Sequence, residues 1–356
     1  MATSLPSGRG LRSAVPARKE QALERPDAAV ADRLLRATCL VAAYVPGLLL
    51  LVLAAVMLVR AWPAILYSGL DFFVGKNFNL GNFYSDAHTV HNGVSAPLHA
   101  VYGGAPMIVG TLLTSVIALA IALPVAVGGV LMLVERVPRR FQSALGIFLE
   151  LLAGIPSVVY GLWGIVIFGP LAAHYFYPFL ADVLGWIPIF RRPVGQGQGL
   201  LTASLVLAVM VIPIIAATTR DLLRTVPILY KEGALALGMT MLETVRVVII
   251  PFIRNGILAA SLLGWARALG ETIAVLMLCG NALNIFPYNI YAPTTTIASV
   301  IASQLDSALT DATGTAVAAL AEAGLVLLLI TLVTNWAARA IVRRSSGAAL
   351  PVGAGF

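Results

Sequence analysis

Residues 107–134 read MIVGTLLTSVIALAIALPVAVGGVLMLV, an uncharged apolar stretch that ends at Glu135 and Arg136. A helix that crosses a bilayer needs about 20 mostly apolar residues, so this stretch is long enough to span one. Further stretches of the same character occur along the chain, at 38–59, 141–168, 200–219, 255–283 and 315–341. We therefore predict an all-α integral membrane protein with six transmembrane helices.

The composition of the whole chain agrees with this class. Of its 356 residues, 59% are hydrophobic and only 11% are charged, and the mean hydropathy is +0.92. A soluble domain carries about 25% charged residues, so a water-soluble enzyme is excluded. The abundance of apolar side chains also excludes a disordered chain. Cys39 and Cys279 lie in apolar runs, which argues against a disulfide scaffold.

The placement of basic residues predicts the orientation in the membrane. Of the 23 Lys and Arg residues, 18 fall in the two tails and in the loops after the second and fourth stretches, and Arg267 lies within the fifth. The opposite side holds only Arg60, Lys76, Arg191 and Arg192. Basic residues concentrate on the cytoplasmic side, so both termini are expected there. The net charge of +7 is then explained by topology, and no nucleic-acid partner is expected.

The same pattern divides the chain into four regions. Residues 1–35 are rich in Pro, Ala and Arg and are expected to form a disordered cytoplasmic tail. We expect the first transmembrane helix and an external segment at 36–103. The main transmembrane domain is expected at 104–342, followed by a second cytoplasmic tail at 343–356.

The fifth stretch contains Arg267 and Glu271, which are unusual inside a membrane. An intramembrane arginine costs at least about 2.5–3.5 kcal/mol. Residues four apart share a helix face, so the two side chains are predicted to pair. Two interpretations remain open: the pair lines a water-filled passage, or it is a buried structural salt bridge. In a passage, the arginine fork suits an oxyanion such as phosphate, and Thr272 and Asn281 would add polar contacts.

The carboxylate beside the arginine suggests a hypothesis about selectivity. Glu271 would compete for Arg267 and weaken its hold on an anion, so that the anion is released. It would also accept a hydrogen bond from a protonated oxyanion, which favours phosphate over sulfate.

Glu150 and Glu322 are also carboxylates within apolar stretches. They lie near opposite ends of their stretches, where a long side chain can reach water. We therefore expect both to be solvated.

The cytoplasmic loop between the fourth and fifth stretches is predicted to form an elbow. Residues 229–237 favour a short helix that Gly238 ends, and residues 239–247 favour a second, which Pro251 ends. Such an elbow can insert its apolar side chains into a groove on a partner protein. The chain has no phosphate-binding loop of the G-x-x-x-x-G-K-[ST] type, so we do not expect it to hydrolyse ATP.

Two segments carry a resemblance to a known family. The run Glu232-Gly233-Ala234 with Gly238 and Pro251 resembles the EAA loop of ABC-importer permeases, which docks on the ATPase subunit. Residues 264–275, GWARALGETIAV, are similar to the R-A-x-G-E-T-x-A-V segment of the phosphate-specific (Pst) ABC permeases. The resemblance covers about 104–340 and favours the C-type subunit.

The resemblance implies a type I ABC importer permease core in the second to sixth helices, preceded by an N-terminal helix. It implies a transport subunit rather than an enzyme, in which Arg267 and Glu271 take part in phosphate movement. The implied partners are a second, A-type phosphate permease subunit, two copies of an ATPase and an extracytoplasmic phosphate-binding protein. No cofactor is implied on this chain, since ATP and Mg bind the ATPase. The implied location is the bacterial cytoplasmic (inner) membrane.

Alternatives remain at this stage. Another ABC importer, for sulfate, molybdate or an amino acid, would share the elbow. A proton-coupled secondary transporter would use Glu271 as a proton relay but leaves the elbow unexplained. A membrane protein with a purely structural role is a third alternative, and the charged residues in the fifth stretch argue against it.

Overall fold

The computed structural model describes residues 26–346 except residue 86, and side chains within 33–340 except those of residues 86 and 139. The chain divides after Leu53 into two compact units. The described part of the first unit is helical, as part of α1 (Pro26–Ser68). Residues 26–35, which we predicted to be disordered, are therefore helical. The predicted tails at 1–25 and 347–356 lie outside the described residues.

Within the described residues, six helical stretches are long and apolar enough to cross a membrane, which confirms the predicted fold class. Four of them lie within single helices, α1 (as Arg33–Ser68), α3 (Ala105–Arg136), α8 (Leu200–Arg224) and α14 (Thr315–Ser346). The other two, Ser157–Leu184 and Met241–Leu269, each combine several helical segments. Pro124 and Pro213 are tolerated inside α3 and α8, as expected of membrane helices.

The third spanning stretch differs from the prediction of 141–168. Helix α4 (Arg139–Ala153) ends at Gly154, and a new helical stretch begins after Pro156. Proline disfavours helical backbone at the residue before it, so the run breaks between Gly154 and Pro156. The new stretch contains α5 (Ser157–Trp163), α6 (Gly169–Leu171) and α7 (Tyr177–Leu184), joined by five-residue π-helical turns.

The segment before α3 is long enough to hold a small cap, and it folds into one; its strands were not predicted. It contains α2 (Asp71–Val74) and two antiparallel strand pairs. Strand β1 (Phe78–Asn79) pairs with β4 (Val101–Tyr102), and β2 (His88–His91) pairs with β3 (Val94–Pro97). Asn92 and Gly93 turn the second pair with φ angles of 51° and 78°, as an Asn-Gly hairpin turn requires.

Helix α8 lies at the centre of the helical core. Its buried side chains include Leu207, Val211 and Ile215, and it packs against α3, α4 and α11 (Ile250–Leu269). The remaining elements follow α8 in the chain. They are α9 (Ile228–Ala236), α10 (Met241–Thr244), α12 (Ile273–Leu278) and α13 (Ile297–Ala308).

Candidate functional site

Arg267 lies in the last turn of α11, and its side chain is exposed. Ala260, Gly264 and Ala268 of the same helix are buried. A Cβ at Gly264 would come within 3.0 Å of Val211 and Ile215 side chains, so α11 and α8 approach closely there. Arg267 is therefore an exposed charged residue in a helix that packs against the core through these residues.

The chain leaves the helix two residues after Arg267. Helix α11 ends at Leu269, and the next helix begins only at Ile273. Glu271 lies in the break and accepts a hydrogen bond through Oε1 from the backbone N–H of Ala274, 3.3 Å away. The Thr272 hydroxyl donates to the Gly270 carbonyl at 3.3 Å. The carboxylate of Glu271 therefore caps the first turn of α12.

The predicted pairing of Arg267 with Glu271 on one helix face is wrong. Gly270 interrupts the helix between them, so the two residues do not share a face one turn apart. Among the described residues, no carboxylate lies within 4.0 Å of the Arg267 guanidinium.

Asn281 lies in a tight connection at the far end of α12. Its backbone is left-handed, with a φ of 44°, and its side-chain oxygen accepts a hydrogen bond from Thr295. The backbone N–H of Thr294 donates to the carbonyl of Cys279 at 2.7 Å, which ties the two segments together. Asn281 thus helps to stabilise this connection through its hydrogen bond with Thr295.

A group of buried hydroxyls joins these elements, and the sequence analysis missed it. Thr111 of α3 accepts a hydrogen bond from the N–H of Ile297 at 2.9 Å and so holds the start of α13. The indole N–H of Trp265 donates to the Ser115 hydroxyl at 3.2 Å, which links α11 to α3. Scattered Ser and Thr residues give no hydropathy signal, so only the fold reveals their convergence.

The elbow has the predicted geometry around Gly238. The glycine has a φ of 84°, and its N–H donates to the carbonyl of Leu235 while that of Met239 donates to Ala234. These two bonds are the Schellman pattern that ends a helix at a glycine. Thr240 and Glu243 then cap α10 reciprocally, with Thr240 N–H to Glu243 Oε2 at 2.7 Å. The elbow is therefore built from local interactions.

The elbow is attached to the rest of the chain on one side and exposed on the other. Lys231 forms an ion pair of 2.6 Å with Glu135 at the end of α3, and both side chains are largely buried. Glu232, Gly233 and Gly238 are exposed, whereas Ala234 is buried. The outer surface carries large apolar side chains, among them Leu229 and Leu237 with exposed fractions of 76% and 82%. Such a surface is typical of an interaction site.

Pro251 does not end the second elbow helix as we predicted. Helix α10 continues through the π-helical turn Val245–Ile249 directly into α11, and Pro251 lies in the first turn of α11. A widened turn is a known way to accommodate a proline that lacks an N–H. As a result, one continuous helical run, Met241–Leu269, joins the elbow to Arg267.

Glu322 also differs from expectation. Its exposed fraction is only 3%, and its carboxyl group is hydrogen-bonded to the Ser68 hydroxyl at 3.0 Å. Glu150, by contrast, is exposed and forms an ion pair of 2.7 Å with Arg220. The partner of Glu322 is far away in sequence, so the burial of this carboxylate could not be predicted from hydropathy.

These features describe a membrane-spanning chain with an exposed elbow and a polar break in the helix at the end of one spanning stretch. The family described as "Binding-protein-dependent transport system inner membrane component" matches residues 126–347. The chain belongs to this family of multi-pass inner-membrane transport components, which are not themselves catalytic.

Individual relatives are more specific. The chain is 54% identical over 319 residues to "Phosphate transport system permease protein PstC 1" of Mycobacterium bovis and of Mycobacterium tuberculosis, covering 89% of this chain and 94% of each relative. It is 41% identical over 251 residues to "Phosphate transport system permease protein PstC" of Pasteurella multocida, covering 70% of this chain and 77% of that protein. The predicted resemblance to the phosphate-specific permeases is confirmed.

Proposed function

We propose that this chain is the permease subunit of an ATP-driven importer and forms the path of inorganic phosphate through the membrane. The observation that carries this proposal is the 54% identity to permeases named for phosphate transport, which extends over 89% of the chain. The Arg267 guanidinium supports it from the structure, because a planar fork of donors suits a phosphate oxyanion.

The partners follow from the same assignment. The subunit would pair with a second, A-type phosphate permease, and two ATPase copies would bind on the cytoplasmic side and hold ATP and Mg. A phosphate-binding protein would deliver phosphate from the external side. The exposed Leu229 and Leu237 support docking of an ATPase at the elbow, because exposed leucines anchor in apolar grooves of partners.

The continuous run Met241–Leu269 suggests how the ATPase acts on the phosphate path. Helices are stiff, so a displacement of the elbow at one end of the run moves Arg267 at the other. The break at Gly270–Thr272 lets α11 move relative to α12. Phosphate held by Arg267 in one position would then be released in another, and the nearby negative charge of Glu271 weakens the hold on the anion.

The proposed orientation has both termini and the elbow in the cytoplasm. It is supported by the excess of basic residues in the loops after the second and fourth spanning stretches and in the tails. Six spanning helices are consistent with both termini lying on one side.

The test is reconstitution of the complete complex in proteoliposomes with phosphate-binding protein outside and ATP inside. We expect radiolabelled phosphate to enter only when ATP and the binding protein are both present. Excess unlabelled phosphate should compete, and equal sulfate should not. Uptake driven by a pH gradient without ATP would contradict the proposal, and competition by sulfate would reassign the substrate.

A further inference from the structure

An open groove of about 330 Å³ lies between α3, α4 and α8, outside the Arg267 site. All the side chains that line it are apolar. They include Val125, Met132, Leu145, Phe148 and Ile212. Several of them are more than 40% exposed, including Met132 at 65% and Phe148 at 56%. The groove is therefore an apolar surface that the described residues of this chain leave open.

Two arginines lie close in sequence to Val137, which lines this groove where α3 ends. They are Arg136 at the end of α3 and Arg140 at the start of α4. Both arginine side chains are exposed, and within the described part of the chain neither has a carboxylate within 4.0 Å. Arg220, near the other side of α4, is already paired with Glu150 at 2.7 Å. The groove thus joins an apolar trough to two uncompensated positive charges.

The dimensions match those of a membrane lipid. Gly129, which lines the groove, is seven residues before Arg136, or roughly 10 Å along the helix axis. One leaflet of the hydrocarbon core is about 15 Å deep, half of the whole core. A lipid with its phosphate beside the arginines would therefore lay its acyl chain along the groove. Basic residues at the cytoplasmic surface select anionic lipids.

We propose that this groove is a binding site for one anionic phospholipid of the cytoplasmic leaflet. Arg136 and Arg140 hold the headgroup phosphate, and the trough between α3, α4 and α8 holds an acyl chain. The lipid fills the space between α4 and α3 and so supports the position of α4. This inference rests on the orientation given under Proposed function but not on the identity of the transported solute.

Two neighbouring glycines provide a matched test. A Cβ built at Gly129 or at Gly128 meets no atom within 4 Å, but only Gly129 lines the groove. Gly129→Leu therefore adds a side chain to the groove at a position where its Cβ meets no neighbour, and Gly128→Leu adds the same side chain elsewhere on the same turn. The complete complex is delipidated in detergent and titrated with phosphatidylglycerol or phosphatidylcholine, and bound lipids are counted by native mass spectrometry.

We expect wild type and Gly128→Leu to retain one phosphatidylglycerol that Gly129→Leu loses. The double variant Arg136→Gln/Arg140→Gln should bind phosphatidylglycerol about 30-fold more weakly, since each basic residue near an anionic surface contributes about fivefold. Its affinity for phosphatidylcholine should fall less, because the choline cation already neutralises the headgroup phosphate.

Equal retention of phosphatidylglycerol by Gly129→Leu and Gly128→Leu would overturn the proposal. So would loss of the second permease subunit in Gly129→Leu alone, because the groove would then be a protein interface. Equal binding of both lipids by wild type would also overturn it, since the site would then not select an anionic headgroup. None of these measurements involves phosphate transport, so failure here is distinct from failure of the proposed function.

Discussion

Glu271 has two roles, a hydrogen-bond acceptor and a negative charge, and single substitutions can separate them. Its Oε1 accepts the N–H of Ala274, and its charge lies close in sequence to Arg267. Glu271→Gln keeps an acceptor oxygen and removes the charge. We expect unchanged thermal stability but about 10–100-fold slower phosphate uptake, because phosphate is released more slowly when no negative charge weakens its hold; that range corresponds to about 1.4–2.8 kcal/mol, within reach of one charge–charge interaction.

Glu271→Ala serves as the comparison, because it removes the acceptor as well as the charge. It should also lower stability by about 0.5–2 kcal/mol, as loss of a helix cap does. Thermal unfolding of the purified complex and uptake by proteoliposomes measure the two effects. If Glu271→Gln took up phosphate at the wild-type rate, the charge of Glu271 would have no part in transport.

A second residue-scale prediction concerns Gly110, where α3 passes the segment before α13. A Cβ there would overlap the backbone carbonyl oxygen of Thr295 and lie 3.1 Å from the Thr294 hydroxyl oxygen. A backbone atom cannot move aside as a flexible side chain can, so Gly110→Ala should cost about 1–3 kcal/mol by overpacking. Thermal unfolding of the purified complex measures this loss.

Gly128→Ala is the matched control for Gly110→Ala. It lies in the same helix, and a Cβ there meets nothing within 4 Å. Alanine favours helix by up to about 1 kcal/mol over glycine, so this variant should be as stable as wild type or slightly more so. Equal melting temperatures for the two variants would show that α3 does not approach Thr295 so closely.

For single residues, the sequence predicts which side chains are unusual but not how they are arranged. Arg267 and Glu271 could be identified because charges stand out in an apolar stretch. Their geometry could not be predicted, since the helix break at Gly270 leaves no trace in hydropathy. The burial of Glu322 depends on Ser68, 254 positions away in the chain.

At the scale of elements, the elbow depends on one backbone conformation. Gly238 has a φ of 84°, which a β-branched residue adopts only with strain of about 1–3 kcal/mol. Gly238→Val should therefore distort the elbow while leaving the spanning helices intact. We expect phosphate uptake to fall while the ATPase activity of the complex persists. Uptake and ATP hydrolysis are measured in the same proteoliposomes.

Gly233→Ala provides the control within the same elbow. Gly233 lies inside α9, has no left-handed backbone, and a Cβ there meets nothing within 4 Å. This variant should transport as wild type does. If Gly238→Val moved as much phosphate per ATP as Gly233→Ala, the elbow would not be the coupling element.

The ends of a helix could be predicted where one residue and its sequence neighbours determine them. They could not be predicted where hydropathy favours a continuous helix and a glycine or proline opposes it. Gly238 acts on its own neighbours, so the first elbow helix was predicted within one residue at each end. At 141–168, continuous hydropathy favoured one helix, but Gly154 and Pro156 divide it. Pro251, by contrast, was predicted to end a helix and does not, because the π-helical turn before it lets the helix continue. The strands of the cap are only two to four residues long, too short for a periodic pattern of hydropathy to predict them.

At the scale of the whole molecule, the orientation can be tested with two introduced cysteines. Tyr84 in the cap is fully exposed, and Leu237 in the elbow is 82% exposed. In a Cys39→Ser background, a membrane-impermeant maleimide added to intact cells should label Tyr84→Cys at once. It should label Leu237→Cys only after the membrane is permeabilised, and the buried Cys279 should not react.

The reverse pattern of labelling would show that the protein has the opposite orientation in the membrane. Labelling of both positions in intact cells would contradict the three spanning stretches that lie between the cap and the elbow, because an odd number places the two on opposite sides. The predicted number of spanning helices is already confirmed by the fold within the described residues, because long apolar stretches are the strongest sequence signal.

The central claim is that Arg267 contacts phosphate at the end of a helix that the ATPase moves. The most direct measurement is ATP-driven uptake of radiolabelled phosphate by proteoliposomes that contain the complete complex with wild type, Arg267→Gln or Arg267→Lys. Arg267 is exposed, so neither substitution should impair assembly. We predict that Arg267→Gln assembles normally but loses uptake, and that Arg267→Lys retains part of it, because lysine keeps the charge without the planar fork. Uptake by assembled Arg267→Gln at the wild-type rate would contradict the account.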